Sequence, residues 1–235
     1  MLSIICPFYN EKENLKELYE RLQKIRPELP PCEMIFVNDG SEDGGTELLQ
    51  SLLPPDPLVR ILELEHRHGL TAALLAGLES SRGEFLATLD ADLQNPPEEI
   101  PRLFKLLREH HADMVTGIRK KRNDSWLKKM SSLVANGIRR AVLQDHIEDI
   151  GCSLKVFKRG LLKLFYPYHG MHRFFAAIAE AEGFKVLQVP VEHEKRRFGK
   201  AKYGLWNRIL GPLTDLFAVR WMLGRKIHYR ILNSK

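Results

Sequence analysis

The chain has 235 residues, 44% of them hydrophobic and 28% charged, a profile that fits a globular protein with a sizeable core and excludes a disordered or fibrous chain. No run of eighteen apolar residues occurs, and the N-terminus lacks a basic stretch followed by an apolar core, so neither a spanning helix nor a signal peptide is expected. The net charge of +6 is unevenly placed: residues 195–235 carry eleven Lys or Arg and one acid, which makes this tail +10 and leaves the first 194 residues at −4. Such a tail suits an anionic partner, either a membrane surface or a nucleic acid. Cys6, Cys32 and Cys152 are scattered and form no C-x-x-C pair, which argues for a reducing compartment and against a disulfide framework or a zinc site.

Residues 2–6 read as an apolar strand closed by Pro7. Leu15, Leu18, Tyr19, Leu22 and Ile25 then share one face of a helix over 14–25. A second strand over 34–37 ends in the turn Asn38-Asp39-Gly40-Ser41, and a helix over 46–53 is stopped by Pro54-Pro55. Strand 59–64, helix 70–78, strand 85–89, helix 98–109 and strand 113–116 follow. This alternation predicts an α/β fold with a mainly parallel sheet flanked by helices.

After Gly117 the rhythm changes. Arg119, Lys120, Lys121, Arg122, Lys128 and Lys129 form a basic run broken by Trp126, leading into a helix over 127–143. Next come Asp149-Ile150-Gly151-Cys152, a strand over 154–157, a helix over 172–182 and a strand over 186–191. From Leu205 onward, Trp206, Phe217 and Trp221 mix with Arg208, Arg220 and Arg225. That composition predicts a pair of helices in a membrane interface, against the plainer reading of a helix packed on the domain. The expected division is a domain over 1–204 and an amphipathic basic tail over 205–235.

Asp90-Ala91-Asp92 stands where a strand ends and a helix is about to begin. If the chain stays extended there, the two carboxylates face one point. Two such acids repel unless a cation lies between them, and a hard ion with oxygen ligands, Mg²⁺ or Mn²⁺, is the natural filler. The bland alternative is a capping Asp beside a solvated one. The preceding strand and the helix start at Asn95-Pro96-Pro97-Glu98, with Asn95 as cap, favour the site. Three strand ends, at Pro7 to Glu11, at Asn38 to Ser41 and at the acidic pair, are expected to share one sheet edge. No G-x-G-x-x-G follows the first strand and no P-loop occurs, which disfavours dinucleotide oxidoreductases and P-loop nucleotidases. His66, His68, His169, His172 and His193 show no metal-ligand spacing, although His172-Arg173 opens a helix near the edge.

Pro7-Phe8-Tyr9-Asn10-Glu11-Lys12-Glu13-Asn14, Val37-Asn38-Asp39-Gly40-Ser41, Leu89 to Glu98 and Arg196-x-x-Gly199-x-x-Lys202-Tyr203-Gly204 together resemble the inverting family 2 glycosyltransferases of GT-A fold. Within that family they are most similar to the dolichol-phosphate mannose synthase and polyprenyl-phosphate glycosyltransferase branch, over about residues 2–210. The resemblance implies a GDP- or UDP-linked sugar donor lined by Pro7, Tyr9, Glu11, Asp39, Asp90 and Ala91. It implies a metal held by Asp90, Asp92 and Gln94, and donor or acceptor phosphates met by Arg119, Arg196 and Lys202. Lys128 and Ser132 resemble the acceptor-phosphate site. Asp92, Arg119, Arg196 and Lys202 are therefore the expected catalytic set. The implied partners are a nucleotide-sugar, a polyprenyl phosphate, the cytoplasmic face of a membrane and a separate membrane-spanning protein, with no nucleic acid. Asn38 replaces the first acid of the family's usual pair, Leu70 stands where Lys is common, and Ala201 replaces a Ser. The first two bear on which donor is used.

The chemistry agrees with the residues. A phosphate monoester is already anionic near neutral pH and needs cations more than a strong general base. Two rivals remain: a phosphohydrolase with an aspartyl nucleophile, and a non-enzymatic lipid- or nucleic-acid-binding module. The first lacks an assignable downstream Lys and acidic pair. The second leaves three acidic strand ends unexplained.

Overall fold

The computed structural model describes residues 1–52, 56–119, 137, 139–196, 198 and 205–227, with backbone alone for 205–212. A seven-stranded sheet organises it: β1 (Leu2–Phe8), β2 (Cys32–Asn38), β3 (Val59–Glu63), β4 (Phe85–Thr88), β5 (Met114–Arg119), β6 (Lys155–Lys158) and β7 (Val186–Val191). Their order is β3-β2-β1-β4-β6-β5-β7. Pairings β1–β2, β1–β4, β2–β3 and β5–β7 are parallel, and β6 runs against both β4 and β5. The expected mainly parallel sheet is thus present, with one inserted strand of opposite sense.

Every residue of β1 and β2 is buried, as a strand covered on both faces requires. Successive side chains feed opposite layers. Ile4, Cys6, Met34 and Phe36 join Leu15, Leu18 and Leu22 of α1 (Lys12–Ile25) and Ile100 and Leu103 of α4 (Glu99–Glu109). Ile5, Ile35 and Val37 face Leu74 and Leu78 of α3 (Leu70–Ser80) and join the layer of Phe174 and Phe175 of α5 (Met171–Ala181). A short α2 (Gly45–Leu52) adds Leu49 to the first layer.

Three local expectations change. Pro7 lies inside β1, paired with Val37. The alternation of bonds sends the Phe8 carbonyl to β2 and the Ile5 carbonyl to Leu89, so position 7 faces β4 only after that strand has turned away, and no ladder donor is lost there. α4 begins at Glu99 rather than at Pro96, and Asn95 does not cap it: its amide goes to Ser153 Oγ at 2.9 Å. Among the described residues the tail is one helix, α6 (Leu205–Arg225), in place of the expected pair. Of the helix expected over 127–143, residues 139–143 are helical and most of the rest lies outside the described residues.

On α6, Leu216 and Val219 are buried in the layer of α5, and Lys226 pairs with Glu182. Leu213, Phe217 and Trp221 point outward at i, i+4 and i+8, with Phe217 57% and Trp221 67% exposed. The helix is therefore apolar on two sides, one covered and one not. Among the described residues no helix is long and apolar enough to cross a membrane.

Candidate active site

β1, β2 and β4 run parallel, so their C-terminal ends share one edge, with Phe8 opposite Asn38 and Ile5 opposite Thr88. Chain order reverses between β2 and β4 on either side of β1, and this switch point is where open α/β sheets bind ligands. The turns at this edge are tied to one another. Asn10, at φ +49°, receives the Glu42 N–H on its side chain at 2.9 Å, while its own N–H reaches Ser41 Oγ at 2.9 Å. Asn38 binds the Ser41 N–H at 2.7 Å and donates to Thr46 Oγ1 at 2.8 Å. It shapes the turn as a neutral amide.

Asp39 is buried and accepts the backbone N–H groups of His68 and Gly69 at 2.7 and 2.9 Å, thereby anchoring the start of α3. Gly40 has φ +69°, and a Cβ there would lie 2.6 Å from the Arg67 backbone nitrogen. Gly40→Ala should therefore cost on the order of 2–4 kcal/mol, combining left-handed strain with a clash against backbone. Urea denaturation checks this value; a loss below about 0.5 kcal/mol, the usual range of a surface change, would contradict it. The same loop lays the Arg67 guanidinium over the Tyr9 ring at 4.3 Å.

The acidic pair sits on a turn rather than on extended chain: β4 ends at Thr88, and Leu93 adopts φ +59°. The expected geometry is replaced, yet the two carboxylates remain close enough to act on each other. Burial, and then the charge of Asp92, pushes the Asp90 carboxyl up to about 6, although it accepts a hydrogen bond from Ser153. Ser153 staples the whole turn, because its carbonyl also accepts from Thr88 Oγ1 at 2.6 Å and its hydroxyl accepts from Asn95. Asp92 accepts the Gln94 N–H at 3.1 Å. Ala91 is buried in the first core layer, which leaves only its backbone for a ligand.

Arg196 reaches this pair from far along the chain. After β7 the backbone runs beside the acidic turn, with the Glu194 N–H on the Gln94 carbonyl at 2.8 Å. Arg196 Nη2 then meets Asp92 Oδ2 at 2.6 Å, and Nη1 lies 3.6 Å from Glu11 Oε1. Asn14 holds the other Glu11 oxygen at 2.6 Å. Arg119, at the end of β5, forms a two-pronged pair with Asp149 at 2.7 and 2.7 Å. Gly151 permits that pair, since a Cβ there would stand 2.7 Å from Arg119 Nη2. Asp149 thus holds an arginine in place.

Sequence reasoning missed Lys155. It is fully buried on β6, opposite Thr88 and Thr116, donates to the Cys152 carbonyl, and supplies positive charge felt by Asp90. Burial pushes its ammonium down while Asp90 and Asp149 partly restore it. Nothing local marks a lysine in Lys155-Val156-Phe157-Lys158 as interior. Farther along, His172 Nδ1 lies 2.7 Å from Thr71 Oγ1, and burial pushes the imidazole down to about 3, so it stays neutral. Of the expected site residues, Glu11, Asp92 and Arg196 meet directly. Asp90 and Gln94 lie in the same turn, Pro7 and Tyr9 belong to the β1 end, and Asp39 to the β2 end. Lys128, Ser132 and Lys202 lie outside the described residues.

A mostly parallel sheet with an acid pair at its switch point is the arrangement of GT-A glycosyltransferases. Solved structures share the fold: mannosyl-3-phosphoglycerate synthase from Rubrobacter xylanophilus superposes with a TM-score of 0.72 at 15% identity, over 100% of this chain and 78% of that one. The mannosyltransferase PcManGT from Pyrobaculum calidifontis, in complex with GDP-Man and Mn²⁺, gives 0.66 at 23% identity, over 93% and 63%. The chain belongs to glycosyltransferase family 2, whose model, described as Glycosyl transferase family 2, matches residues 3–165.

Among curated relatives, undecaprenyl-phosphate 4-deoxy-4-formamido-L-arabinose transferase of Serratia proteamaculans is 35% identical over 217 residues, 92% of this chain and 66% of the relative. The protein of the same name from Aeromonas hydrophila subsp. hydrophila is 34% identical over 212 residues, 89% and 64%. The chain spans about two thirds of the length of these relatives.

Proposed function

We propose that this chain transfers a sugar, with inversion, from a GDP- or UDP-linked donor to a polyprenyl phosphate at the cytoplasmic face of a membrane. The observation that carries this reading is the meeting of Asp90, Asp92, Glu11 and Arg196 at one sheet edge. The relatives' name, a sugar transferase acting on undecaprenyl phosphate, supports the acceptor class.

Asp90, Asp92 and Gln94 would hold Mg²⁺ or Mn²⁺. The donor set fits, being all oxygen, and the charge of Asp92 adds to burial in raising the Asp90 carboxyl, a repulsion that a bound cation would relieve. When bound, the ion neutralises charge on the departing diphosphate. The chain's own residues do the rest. Pro7, Tyr9, Glu11, Asp39 and the Ala91 backbone line the donor nucleotide. Arg196, now on Asp92, is the guanidinium that turns to phosphate oxygens, with Arg119 and Lys202 as further cations and Lys128 and Ser132 on the acceptor phosphate. An acceptor oxygen attacks the anomeric carbon from the face opposite the leaving group, the C–O bond to the diphosphate breaks, and the nucleoside diphosphate departs. The acceptor is already ionised, so no strong base is required.

The test of the site is nucleotide binding: GDP or UDP should bind far more tightly with Mn²⁺ than with chelator, and binding indifferent to Mn²⁺ overturns the metal assignment. Arg196→Ala should lower transfer by at least about 10-fold, the loss of charge-assisted bonds to phosphate. Lys235→Ala, at a residue to which no site role is assigned, should leave it within about twofold. Equal small effects would contradict the role of Arg196.

The uncovered face of α6 supports membrane contact, because Leu213, Phe217 and Trp221 lie with Arg220 and Arg225 near a plane where aromatic and basic side chains gain. Each basic residue adds about 1 kcal/mol near an anionic surface, a gain that salt removes while the apolar part persists. The full chain should float with anionic liposomes at low salt, and Phe217→Glu with Trp221→Glu should abolish flotation. Unchanged flotation of that variant, or none of the wild type, sinks the membrane reading.

A further inference from the structure

We infer that Glu65, His66 and His68, on the loop between β3 and α3, form a second metal site, selective for a borderline transition metal such as Zn²⁺ and separate from the acid pair at Asp90 and Asp92. Their ligand atoms all lie within 4.8 Å of one another, the only such group of three among the described residues. Glu65 Oε1 stands 3.4 Å from His66 Nδ1 and 3.7 Å from His68 Nε2. Tetrahedral ligands about 2.0–2.1 Å from zinc are separated by roughly 3.3–3.4 Å, so two of the three edges are already nearly right. The two imidazoles lie side by side with ring centroids 4.0 Å apart, and closing the third edge takes a small turn of exposed side chains. A water completes the fourth position, as in open zinc sites.

The scaffold behind the ligands is fixed. Asp39 holds the His68 and Gly69 N–H groups, and the Arg67 backbone nitrogen packs where a Gly40 side chain would stand. Arg67, between the two histidines, lies over Tyr9. An ion on Glu65, His66 and His68 would lock the loop that carries this stacking contact. Ligand chemistry separates the two sites: two imidazoles and a carboxylate favour Zn²⁺, Co²⁺ or Ni²⁺, whereas the all-oxygen acid pair favours Mg²⁺ or Mn²⁺. The inference does not depend on what the acid pair does.

The experiment is calorimetric titration of the untagged full chain with Zn²⁺ in excess Mg²⁺, beside Asp92→Asn and the double variant His66→Ala with His68→Ala. Removing an outer-sphere partner of a metal ligand alone costs about 10–100-fold in affinity, so deleting two ligands should weaken binding by at least about 100-fold. One Zn²⁺ per chain is expected for wild type and Asp92→Asn, with binding lost in the double variant. Both histidines are solvent-facing, and an unchanged circular dichroism melt without metal establishes that this variant is folded. Absence of stoichiometric Zn²⁺ binding to wild type, equal binding to the double variant, or loss in Asp92→Asn alone overturns the site.

Discussion

Asp92→Asn is expected to lower metal-dependent sugar transfer by about 10²-fold or more with the fold intact. Removing one ligand from a charge-stabilising site typically forfeits several kcal/mol of transition-state stabilisation. Asp92 is buried and already neutralised by Arg196, so the asparagine keeps the volume and loses only the charge. Asp90→Asn should be equally inactive but should differ in stability. The Asp90 carboxyl sits above its unfolded value, at about 6, so its ionised form weakens the fold. The sign follows from linkage: the folded state holds this proton more tightly, and stability from this group is full below pH 4 and falls as pH rises through 6. That rise in the Asp90 pKa corresponds to roughly 2–3 kcal/mol. Asp90→Asn should therefore be more stable than wild type at pH 8 without metal and nearly equal at pH 4. Denaturation curves at the two pH values decide it, and a variant less stable than wild type at pH 8 would contradict the account.

Lys155→Met is expected to destabilise the metal-free protein by about 2 kcal/mol at pH 8. Removing a positive charge that acts on a buried carboxylate leaves that carboxylate less compensated, at a cost on the order of 1–3 kcal/mol. Here the carboxylate is Asp90, which the charges of Lys155 and Arg119 both hold down against the effect of burial. The loss should shrink at pH 5, where Asp90 takes up its proton, and should be largely relieved by adding Asp90→Asn, because the two positions share one interaction. A deficit equal at both pH values and unchanged in the double variant would show that Lys155 acts only by packing its alkyl chain.

Much of the framework could be read from residues alone. The continuous apolar runs of β1 and β2 belong to strands covered on both faces, and the 3.6-residue recurrence of Leu15, Leu18, Leu22 and Ile25 is the buried face of α1. The acid pair stood out because a strand precedes it and a helix follows. Illegible features depend on partners distant in sequence. Asn95 looks like a helix cap and is instead taken by Ser153, 58 residues later. Pro7 looks like a strand end, and only the early departure of β4 lets it stay in the ladder. β6 has four residues with a lysine at each end, so neither its reversed direction nor the burial of Lys155 has a local sign. The mixed aromatic and basic composition of the tail suggested a helix pair in a membrane interface, yet one helix spans Leu205–Arg225, with Leu216 and Val219 seated in the core. Glu65 joins His66 and His68 only through the fold of their loop.

The central claim is tested most directly by incubating the purified chain with labelled GDP- and UDP-sugars and a polyprenyl phosphate in detergent, with Mn²⁺ or with chelator, and extracting the lipid. One nucleotide-sugar should label the lipid through a phosphodiester to the sugar, with Mn²⁺ only, and Asp92→Asn should abolish the product. Transfer that persists in chelator, or a folded chain that labels no polyprenyl phosphate from any donor while hydrolysing a phosphate ester through Asp90, would contradict it.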